Sequence, residues 1–420
     1  MRFSKKRLTS SIIALVLIFS LLFSLTSCNP FVITADPPVS DDDPSTDNTP
    51  KNIYVQGGDT NNITINASGD TTQIAAAKAV LSVVSVYSEF EATVSNGWGG
   101  YKTRSFSTAG AGVIYKLDKD NGDAYIITNY HVIYHSSDNS NSKIARKITL
   151  YLYGMESSRY AIEAQFLGGS MQYDIAVLKV TGSEVLMSSL ATAATVADSN
   201  DVSILETAIA VGNPEKDGIS ATSGYVNVDS ETIDIYAADD LTLISIRVMR
   251  IDAAINGGNS GGGVFNSRGE LIGIVNAKKT LSDGMGYAIP SNVAKYLADN
   301  IIYYCDGNNY TSVMRCILGI KVDPSELYTE YDEQTGRVYK REYVKVSSVE
   351  AGSIAKLKVG DMIEAITIDG EEYEVTRSFH VIDAMLNARV GSKVTFRIRR
   401  KTILYNISLT ITSDTVEAYR

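Results

Sequence analysis

The chain has 420 residues, 44% hydrophobic and 20% charged, ordinary values for a globular protein and room for two or three domains. A formal net charge of −10 argues against nucleic acid as a partner, since such binding surfaces are basic. Three cysteines and three histidines are too few for a multi-ligand zinc site of the usual spacing, so neither a metal nor another cofactor is expected.

The chain opens on a basic segment (Arg2, Lys5, Lys6, Arg7) followed by an apolar run from Ile12 to Leu25, the layout of an export signal. The run ends in Leu25-Thr26-Ser27-Cys28, which resembles the bacterial lipoprotein signal. That resemblance implies that residues 1–28 are a signal, that Cys28 is lipidated as the new N-terminus, and that a lipid anchor holds the chain to the cell membrane. The alternative is an uncleaved transmembrane anchor, for which the run is short. Either way the remainder is extracytoplasmic. Residues 29–71 read as a linker and N-terminal extension. Five of the eight prolines (Pro30, Pro37, Pro38, Pro44, Pro50) fall there among Asp, Ser, Thr and Asn, with too little apolar content to offset the entropy of ordering. Weak alternation from Ile53 to Thr72 is compatible with a hairpin of no assigned role.

Ile74 to about Leu81 is helical and Ala-rich, with Thr72 as N-cap. Short β-rich runs follow: Ala124–Thr128, Ile148–Tyr153, Tyr160–Phe166, Ile175–Val180, Thr207–Val211, Leu241–Met249 and Leu271–Ala277. Many short strands at this spacing predict an all-β barrel or sandwich. A helix from Ser291 to about Tyr303 closes the series, with Ser291 as cap and Val293, Leu297 and Ile301 at helical spacing. A second region begins near Thr311. It contains Leu318-Gly319-Ile320, a strand at Tyr343–Val346, a glycine-punctuated stretch from Gly352 to Asp361, and a helix around Ser378–Ala388. Two strands of period-2 alternation end it (Val394, Phe396, Ile398; Ile403, Tyr405, Ile407, Leu409, Ile411).

The stretch Asp252–Val275 carries the chemistry. Ser260 sits inside Gly257-Gly258-Asn259-Ser260-Gly261-Gly262-Gly263. Glycines let backbone N–H groups converge on a bound atom, as an oxyanion beside a nucleophile requires. Alone, the segment reads equally well as a turn between strands. Two upstream segments decide between these. Thr128-Asn129-Tyr130-His131-Val132 is a strand ending in a histidine, and Tyr173-Asp174-Ile175-Ala176-Val177-Leu178 is an aspartate followed by an apolar strand. The order His131, Asp174, Ser260 is that of the triad in chymotrypsin-like double barrels.

At these residues the chain resembles the HtrA/Deg family of trypsin-like serine proteases. Val211-Gly212-Asn213-Pro214 and Gly286-Tyr287-Ala288-Ile289-Pro290 match two further signatures of that family, and the resemblance covers roughly residues 72–412. It implies a mainly β protein: a chymotrypsin-like double β-barrel over 72–305, then an α+β PDZ domain over 311–412. Ser260 is then the nucleophile, His131 its general base and later acid, and Asp174 the group that fixes the imidazole. Gly258 and Ser260 N–H form the oxyanion hole. By position Ala254 and Ala277 line the specificity pocket. With no aspartate at its floor, small aliphatic residues are expected before the cut. Leu318, Gly319 and Ile320 match the PDZ carboxylate-binding loop, at which a C-terminal peptide adds as a strand beside Lys321 and Val322. The resemblance further implies unfolded protein substrates and a homotrimer. Asp229–Asp240 takes the place of a sensor loop, and Lys278–Gly284 that of a second activating loop.

Two positions depart from the family pattern: Gly257 stands where proline is usual, and Gly263 where proline or alanine is common. Proline pre-sets φ and glycine does not, which predicts a looser nucleophile loop. This departure keeps open a pseudoprotease or chaperone-like binding protein, and the PDZ domain keeps open a specific processing protease or adaptor. Elsewhere, His135 has no His-Glu-x-x-His glutamate and reads as a loop residue. His380 reads as a surface residue at a helix start. Cys305 and Cys316 are either a disulfide or two free thiols.

Overall fold

The computed structural model describes residues 71–95, 100–276 and 285–419. The signal with Cys28, the linker, the hairpin expected near Ile53, Ala277 and the Lys278–Gly284 loop lie outside the described residues.

Helix α1 (Thr71–Val80) buries Ala75 and Ala79, which lie four apart on one face. Thr72 falls within its first turn and does not precede it, so it does not act as the cap. Six strands then close into a barrel: β1 (Val83–Ser95), β2 (Tyr101–Asp118), β3 (Asp123–Thr128), β4 (Lys147–Leu152), β5 (Ile162–Ser170) and β6 (Ile175–Val180), in the order β1-β2-β3-β6-β5-β4. The one-turn helix α2 (Tyr130–Ile133) follows β3 directly. After α3 (Glu184–Ser188), whose first turn is capped by the Ser183 hydroxyl accepting from Leu186 N–H at 3.3 Å, a second barrel forms. Its strands are β7 (Thr207–Gly212), β8 (Ser220–Tyr236), β9 (Leu243–Ile251), β10 (Gly263–Phe265), β11 (Leu271–Asn276) and β12 (Gly286–Pro290), ordered β10-β11-β12-β9-β8-β7. Closure leaves no strand edge to be satisfied. Each barrel has its own interior, Val84, Ile126, Leu150 and Leu178 in the first and Ala210, Met249, Val264 and Ile272 in the second. A third cluster (Val177, Val211, Phe265, Ile274) joins the barrels to each other and to helix α4 (Ser291–Cys305), which contributes Leu297 and Ile301.

The second region starts with β13 (Val313–Cys316), which pairs with β20 (Val416–Tyr419) in a two-stranded sheet. Between them lie β14 (Ile320–Asp332), β15 (Arg337–Val349), β16 (Met362–Ile368), β17 (Glu371–Glu374), α5 (Phe379–Met385), β18 (Lys393–Arg400) and β19 (Ile403–Thr410). The sheet order is β14-β15-β16-β18-β19, with β17 beside β16. The alternation read along β18 is a core face, since Val394, Phe396 and Ile398 are fully buried. This α+β unit fits a PDZ domain.

Three details differ from expectation, and between the two readings of Cys305 and Cys316 the structure shows the free thiols. The 229–240 stretch is strand as far as Tyr236, paired in register from Glu231↔Val248 to Tyr236↔Leu243, and only the tip is a turn. Ile233, Ile235, Ile244, Ile246 and Val248 give that hairpin an apolar cluster of its own, which a loop would lack. Ser291 is the first helical residue behind Pro290, and its hydroxyl donates to Ala197 O at 2.8 Å instead of capping. Cys305 and Cys316 are free thiols, and burial pushes each up to about 11, which leaves them unreactive. His380, at the start of α5 as expected, is half-buried and not on the open surface. It lines a cavity of about 530 Å³ between the β8–β9 hairpin and the PDZ unit, together with Arg247, Tyr296, Arg341 and Arg377. There Arg247 lies 2.9 Å from Asp383 and 4.0 Å from the Phe379 ring. Burial pushes Asp383 up and Arg247 down, each opposed by the other's charge.

Candidate active site

His131 is supplied by the end of β3. Thr128 Oγ1 donates to Ala111 O at 2.7 Å, and Asn129 then turns the chain into α2, so the imidazole leaves the barrel rim. Asp174 occupies the turn between β5 and β6 and is 2% exposed. Its Oδ2 is 2.7 Å from His131 Nδ1, and its Oδ1 accepts from His131 N–H at 3.0 Å. Asn276, at the end of β11, donates from Nδ2 to Asp174 Oδ2 at 2.9 Å. His131 N–H and Asn276 Nδ2 both donate to this buried carboxylate, which faces His131 Nδ1 as an acceptor and so favours the imidazole tautomer with a proton on Nδ1 and a lone pair on Nε2. Asn276 was not foreseen from the sequence. An asparagine ending an apolar strand carries no signal until the second barrel folds against the first. His135 sits on Phe106, its ring 4.7 Å from that centroid, as an ordinary loop residue.

The nucleophile loop comes from the other barrel. Ala111 N–H donates to Ser260 O at 2.8 Å and pins the loop to β2. Gly261 N–H donates to Val275 O at 3.0 Å, and Val275 N–H returns to Gly262 O at 2.8 Å. The glycines here are forced. A Cβ at Gly258 (φ +98°) would lie 2.1 Å from Asn213 O, and one at Gly261 (φ +82°) 2.3 Å from Ala111 O. Gly257 O accepts from Glu215 N–H at 2.9 Å, which turns the following Gly258 N–H to the opposite side. Among the described residues neither Gly258 N–H nor Ser260 N–H donates to any protein group. Two unengaged donors beside a serine are the arrangement that accepts an oxyanion. Glu215 (φ +55°) and Lys216 (φ +70°) both sit in the left-handed region, strain of roughly 1–3 kcal/mol apiece that the surrounding contacts offset. Lys216 is braced to the first barrel, its O accepting from Tyr87 OH and its Nζ donating to Ser107 O, both at 3.3 Å.

The two departures have local explanations. Around Gly257 a Cβ would meet nothing within 4 Å, so its freedom is not required by packing, and the Glu215 bond takes over the restraint that proline would give. At Gly263 a Cβ would lie 2.4 Å from Phe265 Cε2, so the ring occupies the space a larger residue would need. Among the described residues Ser260 Oγ makes no hydrogen bond, to His131 Nε2 or elsewhere. Such bonds commonly tighten only with substrate present. Ala254 is exposed, with its carbonyl accepting from Thr222 Oγ1 at 2.9 Å.

At the PDZ unit, Gly319 (φ +68°) makes the turn into β14, the edge strand of its sheet. Ser353 Oγ donates to Leu318 O at 2.7 Å and Glu350 N–H to Gly319 O at 2.8 Å. These bonds turn the loop carbonyls inward, and β14 keeps a free edge to which a strand can add.

Residues 110–274 match the model of the trypsin-like peptidase domain. Over 389 residues the chain is 32% identical to the serine protease Do-like HtrA of Lactococcus lactis subsp. cremoris, covering 85% of this chain and 86% of that protein. The chain belongs to the Do-like, or HtrA/Deg, family of serine proteases. Relatives further off in length agree. HtrA of Bacillus subtilis is 32% identical, with 70% of this chain and 61% of that protein covered. The periplasmic serine endoprotease DegP of Escherichia coli K12 is 31% identical, with 74% and 59% covered. The structure holds the histidine ring 2.7 Å from the Asp174 carboxylate and places Ser260, with two unengaged N–H groups beside it, on a loop of the second barrel.

Proposed function

We propose that this Do-like protease is an exported endopeptidase that cleaves misfolded or damaged envelope and surface proteins. Ser260 Oγ attacks the scissile carbonyl, His131 Nε2 takes its proton and returns it to the leaving amine, and Asp174 stabilises the imidazolium. Gly258 and Ser260 N–H hold the oxyanion, each such donor being worth about 10²–10³ in rate. The observation that carries this reading is the 2.7 Å His131–Asp174 contact across the barrel rim from a serine flanked by two unengaged N–H groups. Ala254 and Ala277 bound a pocket for small aliphatic residues. Leu318, Gly319 and Ile320 receive substrate or activator C-termini. A lipid on Cys28 tethers the enzyme at the membrane, and the active form is a homotrimer.

Labelling with a fluorophosphonate tests the core of this: the wild type reacts and hydrolyses casein, and Ser260→Ala does neither. If the wild type neither labels nor cuts, even with activating C-terminal peptides, a chaperone-like binding role replaces the enzyme reading. Accumulation of one protein in a deletion strain would favour a dedicated processing protease. Incorporation of labelled fatty acid, lost in Cys28→Ala, tests the anchor.

A further inference from the structure

Asp174 stands at φ +51°, in the left-handed region that aspartate adopts more readily than most non-glycine residues and that its surroundings here enforce. Local bonds supply part of that enforcement. Asn129 Nδ2 and Tyr130 N–H both donate to Asp174 O, at 2.9 and 3.2 Å, and Asp174 N–H donates to Met171 O at 3.3 Å. The rest comes from outside the protease barrel that carries the turn. Met171 packs into the apolar cluster of the β8–β9 hairpin. Tyr173, the residue next to Asp174, packs against the cluster that contains Val313 and Leu386 of the PDZ unit. Its ring centroid is 5.7 Å from that of Tyr419 in β20. Tyr419 is fixed in turn: Arg315 lies 4.1 Å from its ring, and Arg315 Nη2 is 2.8 Å from Glu417 Oε1. The backbone follows the same route. Gly169 N–H donates to Thr311 O at 3.0 Å, Gly169 bridges Ser312, and the next residue, Val313, pairs with Tyr419. The turn holding Asp174 is thus attached to the PDZ unit by main chain at one end and by a tyrosine pair at the other.

We propose that Tyr173 and Tyr419 are positioning residues for Asp174, so that strand β20 sets the placement of the acid and couples the PDZ unit to the protease reaction. The proposal rests on the triad reading above and deepens it. Removing the Tyr419 ring lets the turn relax toward an unstrained backbone, withdraws the carboxylate from His131 Nδ1, and slows the step that needs an oriented base. Substrate contacts are left as they are, so the loss falls on kcat and not on KM.

The test uses the full chain and the rate of fluorophosphonate labelling at Ser260, with kcat and KM on a peptide substrate. Tyr419→Ala is expected to slow labelling and kcat by about 10- to 100-fold, the scale of an ångström-level misplacement, with KM within about twofold of wild type. Tyr419→Phe, which keeps the ring, is expected to retain the wild-type rate. The decisive comparison is in the Asp174→Asn background. There Tyr419→Ala is expected to add less than about a further twofold, because a residue acting through Asp174 has nothing left to act on. Equal slowing in both backgrounds, or a Tyr419→Ala protein that labels like wild type, overturns the proposal. Melting curves check that each variant is folded; should Tyr419→Ala prove unfolded, Tyr173→Leu takes its place in the same cycle. A wild-type chain that does not label at all sinks the triad reading instead, so the two failures are told apart.

Discussion

The serine and the aspartate of this protease reach the same site by opposite means. The loop around Ser260 is held by main-chain bonds from Ala111, Asn213, Glu215 and Val275, and side chains are kept out: at Gly258 and Gly261 a Cβ would lie 2.1 and 2.3 Å from a carbonyl oxygen. The turn around Asp174 is held by side chains from three other places, Asn276 at its carboxylate, the β8–β9 cluster at Met171, and Tyr419 at Tyr173. A loop built of glycines needs exclusion of bulk, whereas a turn built on packing needs bulk supplied from a distance. The first is sensitive to bulk added at its own glycines; the second is sensitive to bulk removed from the side chains packed against it.

The largest effect that would sharpen this contrast is on the remote side. Asp383→Ala leaves the Arg247 guanidinium buried without its partner, and a loss of about 3–5 kcal/mol in urea unfolding is expected. Replacing both residues with apolar ones of similar volume should return most of that stability. A single variant that is neutral would mean that the PDZ docking surface carries little energy, and the contrast would fail on that side. Next, Gly258→Ala should leave the protein folded and lower kcat by about 10²–10³, since the peptide must move to clear Asn213 O and takes its oxyanion donor with it. An active Gly258→Ala enzyme would show the loop to be less constrained than its contacts indicate.

A pH effect of intermediate size follows from His380. Burial, then the Arg247, Arg377 and Arg341 charges, push it down to about 3. The unfolded chain takes up this proton near pH 6.5 and the folded chain does not until far lower, so the contribution is fully present above about 6.5 and is lost as pH falls toward 3. The loss is about 1.0 kcal/mol for the first pH unit below that midpoint and approaches about 1.4 kcal/mol for the next. In His380→Asn the acid limb of the stability curve should be shallower, measured by urea midpoints between pH 7 and 5. The smallest effect belongs to Gly257→Pro. The position is outside the left-handed region and has open space around it, so proline should fit and raise stability by about 0.4–1 kcal/mol, with labelling at Ser260 unimpaired. A drop in labelling would show that the loop needs the mobility that glycine gives.

This contrast also explains what could be read from the amino acids alone. Short strands with an alternating or fully apolar face, such as Ile175–Val180 and Thr207–Gly212, are legible because one local pattern suffices. The long strands β2, β8, β14 and β15 are not. Tyr101–Ser107, Ser220–Asp229 and Leu327–Arg341 are polar along much of their length, and pairing in register with a neighbour rather than burial keeps them extended. The glycine-serine segment announces itself because its serine and the glycines its contacts force lie in the same seven residues. Asn276, the Glu215 contact to Gly257 and the Tyr173–Tyr419 pair do not, since each gains meaning only from a partner brought close by the finished fold.

The pairing of Val313 with Tyr419 means that the PDZ unit leaves the protease and returns to it at one seam. Contacts away from that seam hold it as well, among them Arg247 against Asp383, Asn300 Nδ2 on Leu386 O at 3.2 Å and Arg337 Nη1 on Asp201 O at 2.7 Å. None of them shares a residue with the Val313–Tyr419 pairing or the Tyr173–Tyr419 contact, so the loss of any one ion pair leaves the seam's own bonds intact.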